Sequence, residues 1–541
     1  MNRKYIPLLV FATFWVISFA VYFKTAGAGF VTDEIGWLQN YQSAGWQGIF
    51  NAFSDNSPHY IYHFFGFGLW TLFGFNGYAW MLFFVSLHAL VATLSFAIFK
   101  ELFSKAEISS PTPTAFGGSL IFLLSPYHTE PMVWYACVHY LVCAVFVLLA
   151  LKAYLEYNET QKRIFVGLFY LFAFLSAFTL EISFSLPLLV AVLILFFPFD
   201  NTGAVKGKQM LLFVVPSLLM VVFYFAVTKI LRGNFAGHYG AATHFNMDIQ
   251  LLMSNLAKYT VKIFAFTQFL SYEKRNVLYL LFEKEKFAFL LAIFLCLVAV
   301  VFVVRQKQLP KKLTIIGILF SMFVLALLPI LNLYFSSIVN VEGDRFSYFA
   351  SVFAGQLVAF SLMSLLNGFG WIPIALFLFF SVKYLQINTE SWQHNRDINF
   401  SLCEKFRWYD APHIYLLNVP DNFNGTYMFR SFAPDNSFAE TLALKYGKDV
   451  ESKTTEIFEY NMTQSQDSVW VEKISDTELK VSFAQSGNWW WSKGIGGSNY
   501  ATENYETRID GGSYFITFKK KIAGAVYLYQ CGGEWLEVKG F

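Results

Sequence analysis

Charge is scarce in this 541-residue chain: only 14% of its residues are Asp, Glu, Lys or Arg, where soluble domains carry about 25%. What charge exists is nearly balanced. Thirty-nine Lys and Arg against 36 Asp and Glu leave a net charge of +3, too small to imply a nucleic-acid partner. Cysteine is limited to Cys137, Cys143, Cys296, Cys403 and Cys531, and no two of them form a CxxC pair. Zinc-site and thioredoxin-like readings therefore have no support. Internal repeats and low-complexity tracts are also missing.

What is abundant is apolar. Hydrophobic residues make up 56% of the chain, with 64 Phe, 30 Tyr and 14 Trp. This composition places the chain in the membrane class before any motif is read. A span needs roughly 20 mostly apolar residues. Candidates run over Ile6–Phe23, Tyr78–Phe99, Ala115–Leu124, Val138–Tyr157, Ile164–Phe178, Ser183–Phe197, Met210–Ile230, Phe287–Val304, Leu313–Leu331, Phe346–Leu366 and Trp371–Gln386. The expectation is a polytopic α-helical protein of about eleven spans, with Tyr60–Phe75 and Leu251–Leu270 interfacial or half-inserted.

Orientation follows from Lys and Arg in the short loops. Arg3/Lys4, Lys100/Lys105, Lys162/Arg163, Lys206/Lys208 and Arg305/Lys307/Lys311/Lys312 occupy alternate loops, which puts the N-terminus in the cytoplasm. The intervening loops, and with eleven spans the C-terminal region, face outward. Residues 1–390 are expected to form the membrane domain. Residues 391–541 are expected to form a small, mostly β extracytoplasmic domain. Within it, Ser468–Glu472, Leu479–Phe483, Tyr514–Phe518 and Ala525–Tyr529 read as strands. Asp510-Gly511-Gly512 reads as a hairpin turn, and the stretch near Phe438–Lys448 as helix. Cys403 and Cys531 pair if that region lies outside the cytoplasm. Otherwise they are two free thiols, and the sequence leaves both readings open.

The ionisable residues of the outward loops carry the candidate chemistry. Asp33 and Glu34 follow the first span, where a carboxylate can take a proton from an acceptor hydroxyl, or simply sit at a helix N-terminus. His128 and Glu130 stand in an apolar neighbourhood, where ionisable groups usually face a cavity or a partner. They suit phosphate or hydroxyl binding, or a structural pair. Glu181 is alone in a short turn. In the last outward loop, Asp344 precedes Arg345. A guanidinium matches phosphate oxygens bidentately, and an outward Arg departs from the charge pattern of the other loops.

These segments, in this order, resemble the GT-C membrane glycosyltransferases, and among them the tetratricopeptide-bearing transmembrane O-mannosyltransferases and their bacterial relatives. The likeness rests on Phe30-Val31-Thr32-Asp33-Glu34, on Ser125-Pro126-Tyr127-His128-Thr129-Glu130 followed by Trp134, on Glu181 with Leu186-Pro187, on Asp344-Arg345-Phe346-Ser347-Tyr348, and on Trp392 with Asn395 and Phe400. It spans residues 1–405. The chain departs from the family where Cys137-Val138-His139-Tyr140 replaces its Gly-Arg-x-Asp, where Leu180 replaces a Lys, and where no tetratricopeptide pattern follows.

The resemblance implies an inverting glycosyltransferase of the cell envelope that takes sugar from a polyprenyl-phosphate donor. It implies Asp33 as general base with Glu34 in support, and Arg345 and His128 on the donor phosphate. Glu130, His139, Glu181, Asp344 and Tyr348 are then expected to line the cavity or the acceptor site. The acceptor is a protein Ser/Thr, a glycan or a lipid. No cofactor is expected, although Asp33, Glu34 and Glu130 have oxygens suited to a divalent ion. The expected location is the cytoplasmic (inner) membrane, with the site and C-terminal domain on the periplasmic side. Two rival readings are a transporter or flippase of lipid-linked sugars and a non-enzymatic membrane scaffold.

Overall fold

The computed structural model describes residues 6–32, 34–54, 59–197, 203–233, 235, 248–284, 311–333, 335, 341–430, 437–447, 450–462, 469–483, 490–492, 499–510 and 513–541. Among the described residues, seven helical segments are long and apolar enough to cross a bilayer. They are Ile6–Thr25, Gly77–Lys105, Tyr135–Thr160, Gly203–Arg232, Lys311–Ile330, Asp344–Leu366 and Trp371–Lys405. The helix is the natural choice here, because it satisfies its own backbone groups where no water can.

These seven stand against the expected eleven. Pro111–Leu123, Arg163–Ala177 and Leu186–Phe196 form helices of 13, 15 and 11 residues. At 1.5 Å per residue the first covers about 20 Å, short of a hydrocarbon core of about 30 Å. The expected span Phe287–Val304 lies outside the described residues. The two interfacial candidates are the helices Tyr60–Phe73 and Ile249–Ala265.

Small residues and a buried amide set the packing of the central helices. A Cβ on Gly355 would lie 2.5 Å from the Gly118 carbonyl oxygen, so the helices Pro111–Leu123 and Tyr348–Leu366 meet backbone to backbone. Beside that contact the Gln356 amide donates to Ser95 Oγ, Ser119 Oγ and the Ala115 carbonyl at 3.0–3.2 Å. Close approach of small residues together with interhelical hydrogen bonds is how helices associate where lipid removes the hydrophobic drive.

The final helix, Trp371–Lys405, is continuous for 35 residues. The expected domain change at 390/391 falls inside it. Its C-terminal half carries the C-terminal domain, and Trp392, Leu402 and Cys403 are buried. The strands follow as β1 Ile414–Phe423, β2 Thr426–Tyr427, β3 Thr454–Met462, β4 Val469–Lys473, β5 Glu478–Phe483, β6 Trp490–Ser492, β7 Tyr500–Ala501, β8 Tyr505–Asp510, β9 Ser513–Phe518, β10 Val526–Cys531 and β11 Glu534–Glu537. One sheet runs β11-β10-β1-β3-β6, with β1 parallel to both neighbours. All ten β1 residues are buried, as a central parallel strand requires. The second sheet, β4-β5-β9-β8-β7, is antiparallel. The core between them includes Tyr415, Phe458, Leu479, Tyr514, Ile516 and Leu528. The helix Ser437–Tyr446 buries Phe438 and Leu442 in that core.

The possible Cys403–Cys531 pair is not formed; both thiols are free. Cys403 sits inside the helix–sheet contact with its Sγ 3.7 Å from Asn399 Oδ1, while Cys531 ends β10.

Candidate functional site

Glu130 is the centre of a buried, charged junction. It lies in the short helix Thr129–Val133 and is fully buried. Its carboxylate accepts the backbone N–H of Arg345 at 2.7 Å and of Gly343 at 3.3 Å, and forms an ion pair with the Arg345 guanidinium. Gly343 has φ +77°, a conformation that glycine adopts without steric cost. That turn aims the N–H groups of two alternate residues at one carboxylate. The guanidinium lies close to two aromatic rings, 5.0 Å from the Trp134 centroid and 4.5 Å from that of Phe346.

Asp344, also fully buried, is paired with Lys262 Nζ at 2.5 Å. Arg275 adds a further positive charge within electrostatic reach of Asp344 and is itself buried. Ionised together, Arg345, Lys262 and Arg275 exceed Glu130 and Asp344 by one positive charge. A small apolar recess is lined by Pro126, Ile263, Phe264, Ser351, Ala354 and Phe377. Its lining residues Pro126 and Ile263 are chain neighbours of Tyr127 and Lys262, whose ring and Nζ stand 5.9 Å apart.

Glu34 reaches the flank of this junction differently. Its two carboxylate oxygens accept the N–H groups of Val31 and Ala136, each at 2.6 Å. It opens the helix Glu34–Ala44 and ties the first loop to the segment after Trp134. It also lines a small recess with Tyr41, Tyr62, Trp80 and Tyr135. Asp33, the expected general base, lies outside the described residues.

His128 and Tyr348 are buried within the helix packing. His88 Nε2 donates to the Leu123 carbonyl at 3.0 Å, so its Nδ1 accepts from Tyr348 Oη at 2.8 Å. Ser351 Oγ donates to the Tyr348 carbonyl, so His128 Nε2 donates to Ser351 Oγ at 2.7 Å. Among the described residues His128 Nδ1 has no partner. His139 and Glu181 gather elsewhere with His59. The His59 and His139 rings stack at 4.7 Å, and Glu181 holds His59 Nε2 at 3.3 Å and Tyr224 Oη at 2.7 Å.

The structure thus joins Glu130, Asp344 and Arg345, places Glu34 beside them, and separates the His59–His139–Glu181 group from the His88–His128–Tyr348 group. Among the described residues no set of three or more His, Cys, Asp or Glu is arranged to hold a metal ion.

Sequence reasoning missed Lys262, Arg275, His59 and His88. Lys258 and Lys262 stand one helical turn apart, in a segment that the charge pattern places outward, and that signal was readable. Arg430 gave none, because its partners are set by tertiary folding. Its Nε and Nη2 donate to Asp421 at 2.7 and 2.9 Å, and its Nη1 donates to Glu342 at 3.0 Å, two residues from Asp344. No protein-family model and no curated protein matches this chain.

Proposed function

We propose that the chain is an inverting membrane glycosyltransferase that uses a polyprenyl-phosphate sugar donor and works on the extracytoplasmic side of the cytoplasmic membrane. The observation that carries the reading is the buried junction of Glu130, Arg345, Asp344 and Lys262 amid apolar helices, with a small apolar recess reaching Pro126 and Ile263. A lipid-linked phosphate needs both halves of that arrangement. Its tail belongs among apolar helix faces, and its phosphate belongs where preorganised cations wait. Arg345 and Lys262 are held in place by carboxylates before any ligand arrives, so little reorganisation is needed at the moment of reaction.

In the reaction, an acceptor hydroxyl oxygen bonds to the anomeric carbon while the bond from that carbon to the phosphate oxygen breaks. The hydroxyl proton passes to a carboxylate, assigned to Asp33 by the family resemblance. The electron pair leaves on polyprenyl phosphate, whose growing charge Arg345 and Lys262 offset. Glu34 holds the first loop against Ala136 and so fixes where that loop enters the site. The acceptor hydroxyl belongs to a protein Ser/Thr, a glycan or a lipid.

Mass spectrometry of envelope proteins, glycans and lipids from host cells with and without the gene tests this. A sugar addition present only with the gene, lost with Arg345→Ala and kept with Lys405→Ala, is expected. An unchanged glycan inventory without the gene overturns the proposal.

A further inference from the structure

Glu130 and Asp344 have no exposed surface, and Arg345 is only 7% exposed. As folded, the junction is sealed, and much of the seal comes from the C-terminal domain. Tyr427, from β2, lays its ring 4.9 Å from that of Trp134, the same indole that supports Arg345. The Met428 carbonyl accepts the Thr32 N–H at 3.3 Å. The Glu440 carbonyl accepts from Gln39 Nε2 at 2.9 Å. Arg430 reaches across the seam to Glu342 at 3.0 Å.

Two kinds of contact hold this cover. One kind stays with the domain and the helix that carries it. Asn395 Nδ2, on that helix, donates to the Thr426 carbonyl at 2.9 Å and to the Tyr427 carbonyl, and Asp421 grips Arg430 through two oxygens. The other kind crosses to the loops of the membrane domain. Among the crossing contacts just named, only Arg430–Glu342 joins two charged side chains.

The chemistry of that pair suits release. Burying a cation without a partner is prohibitive, but Arg430 keeps its bidentate Asp421 when Glu342 lets go. Glu342 is already 16% exposed, so water can take up its carboxylate. Parting therefore breaks a charge-assisted hydrogen bond and strands no charge. A permanent weld would have made Glu342 the sole counter-ion.

We infer that the C-terminal domain is a movable cover over the Glu130–Arg345 site, latched by Arg430 on Glu342. The inference draws on the proposed sugar transfer only for what enters the site once the cover lifts.

Hydrogen–deuterium exchange on the full chain in lipid nanodiscs, with no donor or acceptor added, tests it. In the unaltered protein, the peptides carrying Thr32 and Arg345 are expected to exchange at least about ten-fold faster than those of the helix Val138–Thr160. Glu342→Gln should speed the two seam peptides by roughly another ten-fold while β8 and β9 keep their protection. Seam amides as protected as that helix, or seam amides indifferent to Glu342→Gln, overturn the latch. Loosening of the helix and of β8–β9 together with the seam also overturns it, because the contact would then be a structural weld. Since no sugar transfer is measured, a failed transfer assay leaves this result standing, and the converse holds as well.

Discussion

Glu130 and Glu34 are both buried carboxylates in the first turn of a helix, yet they are held in different ways. Glu130 faces a guanidinium and two backbone N–H groups. Glu34 bonds two backbone N–H groups, from Val31 and Ala136. The first arrangement stakes stability on a buried charge pair. The second spends the carboxylate on fixing a loop. The difference teaches that burial and acidity alone do not mark a reactive group; what faces the carboxylate does.

The sharpest way to break this comparison is Arg345→Ala. It leaves Glu130 buried with its N–H partners but without its counter-ion, and losing one member of a buried pair costs about 3–5 kcal/mol. A large drop in the thermal midpoint in nanodiscs is expected. Arg345→Ala with Glu130→Ala should lose clearly less than the two single changes added together, because the pair fails as a unit. Additive losses would mean that the two groups are not coupled. Sugar transfer should vanish in either variant.

Glu34→Gln probes the other half and should be milder. An amide has only one oxygen, so one of the two N–H groups of Val31 and Ala136 would meet an NH2 instead. A donor left facing a donor in a buried site costs about 1–3 kcal/mol. Exchange at Ala136 should rise with it. If Glu34→Gln proves as damaging as Arg345→Ala, the division between a loop tie and a charge pair collapses.

Much of this was readable because local patterns are local. The strands expected at Ser468–Glu472, Leu479–Phe483, Tyr514–Phe518 and Ala525–Tyr529 correspond to β4, β5, β9 and β10 within about two residues. Asp510 pairs with Ser513 across the expected hairpin. The parallel neighbours of β1 were not readable. Such strands come together only after a crossover, and β10 begins more than 100 residues after β1 ends. Arg345 drew notice as an outward cation, and Glu130 as an acid in apolar surroundings. Their pairing spans 215 positions, and no spacing rule reaches that far. The lengths of the short helices were less legible for a different reason: hydropathy measures how apolar a stretch is, and tertiary packing decides where a helix ends.

The smallest expected effect tests the comparison at its far edge, on a titratable group in the C-terminal domain that is only partly withdrawn from water. His413 sets its Nε2 2.9 Å from Thr455 Oγ1 and its ring 4.5 Å from Tyr415. Burial holds its pKa below the usual 6.5, because the charged imidazolium loses hydration. The unfolded chain therefore takes up the proton first as pH falls. Stability from this group is complete above about pH 6.5 and declines as pH drops toward the depressed folded value. Solvent screening keeps the decline slight. In the full chain, exchange protection of β1 and β3 should weaken slightly between about pH 7 and pH 5, after correction for intrinsic exchange. His413→Gln should flatten that slope and leave protection at neutral pH close to unchanged, since an amide can still bond Thr455. A slope that steepens on substitution would mean the imidazole gains its proton more readily in the folded chain, which would reverse the sign assigned to its burial.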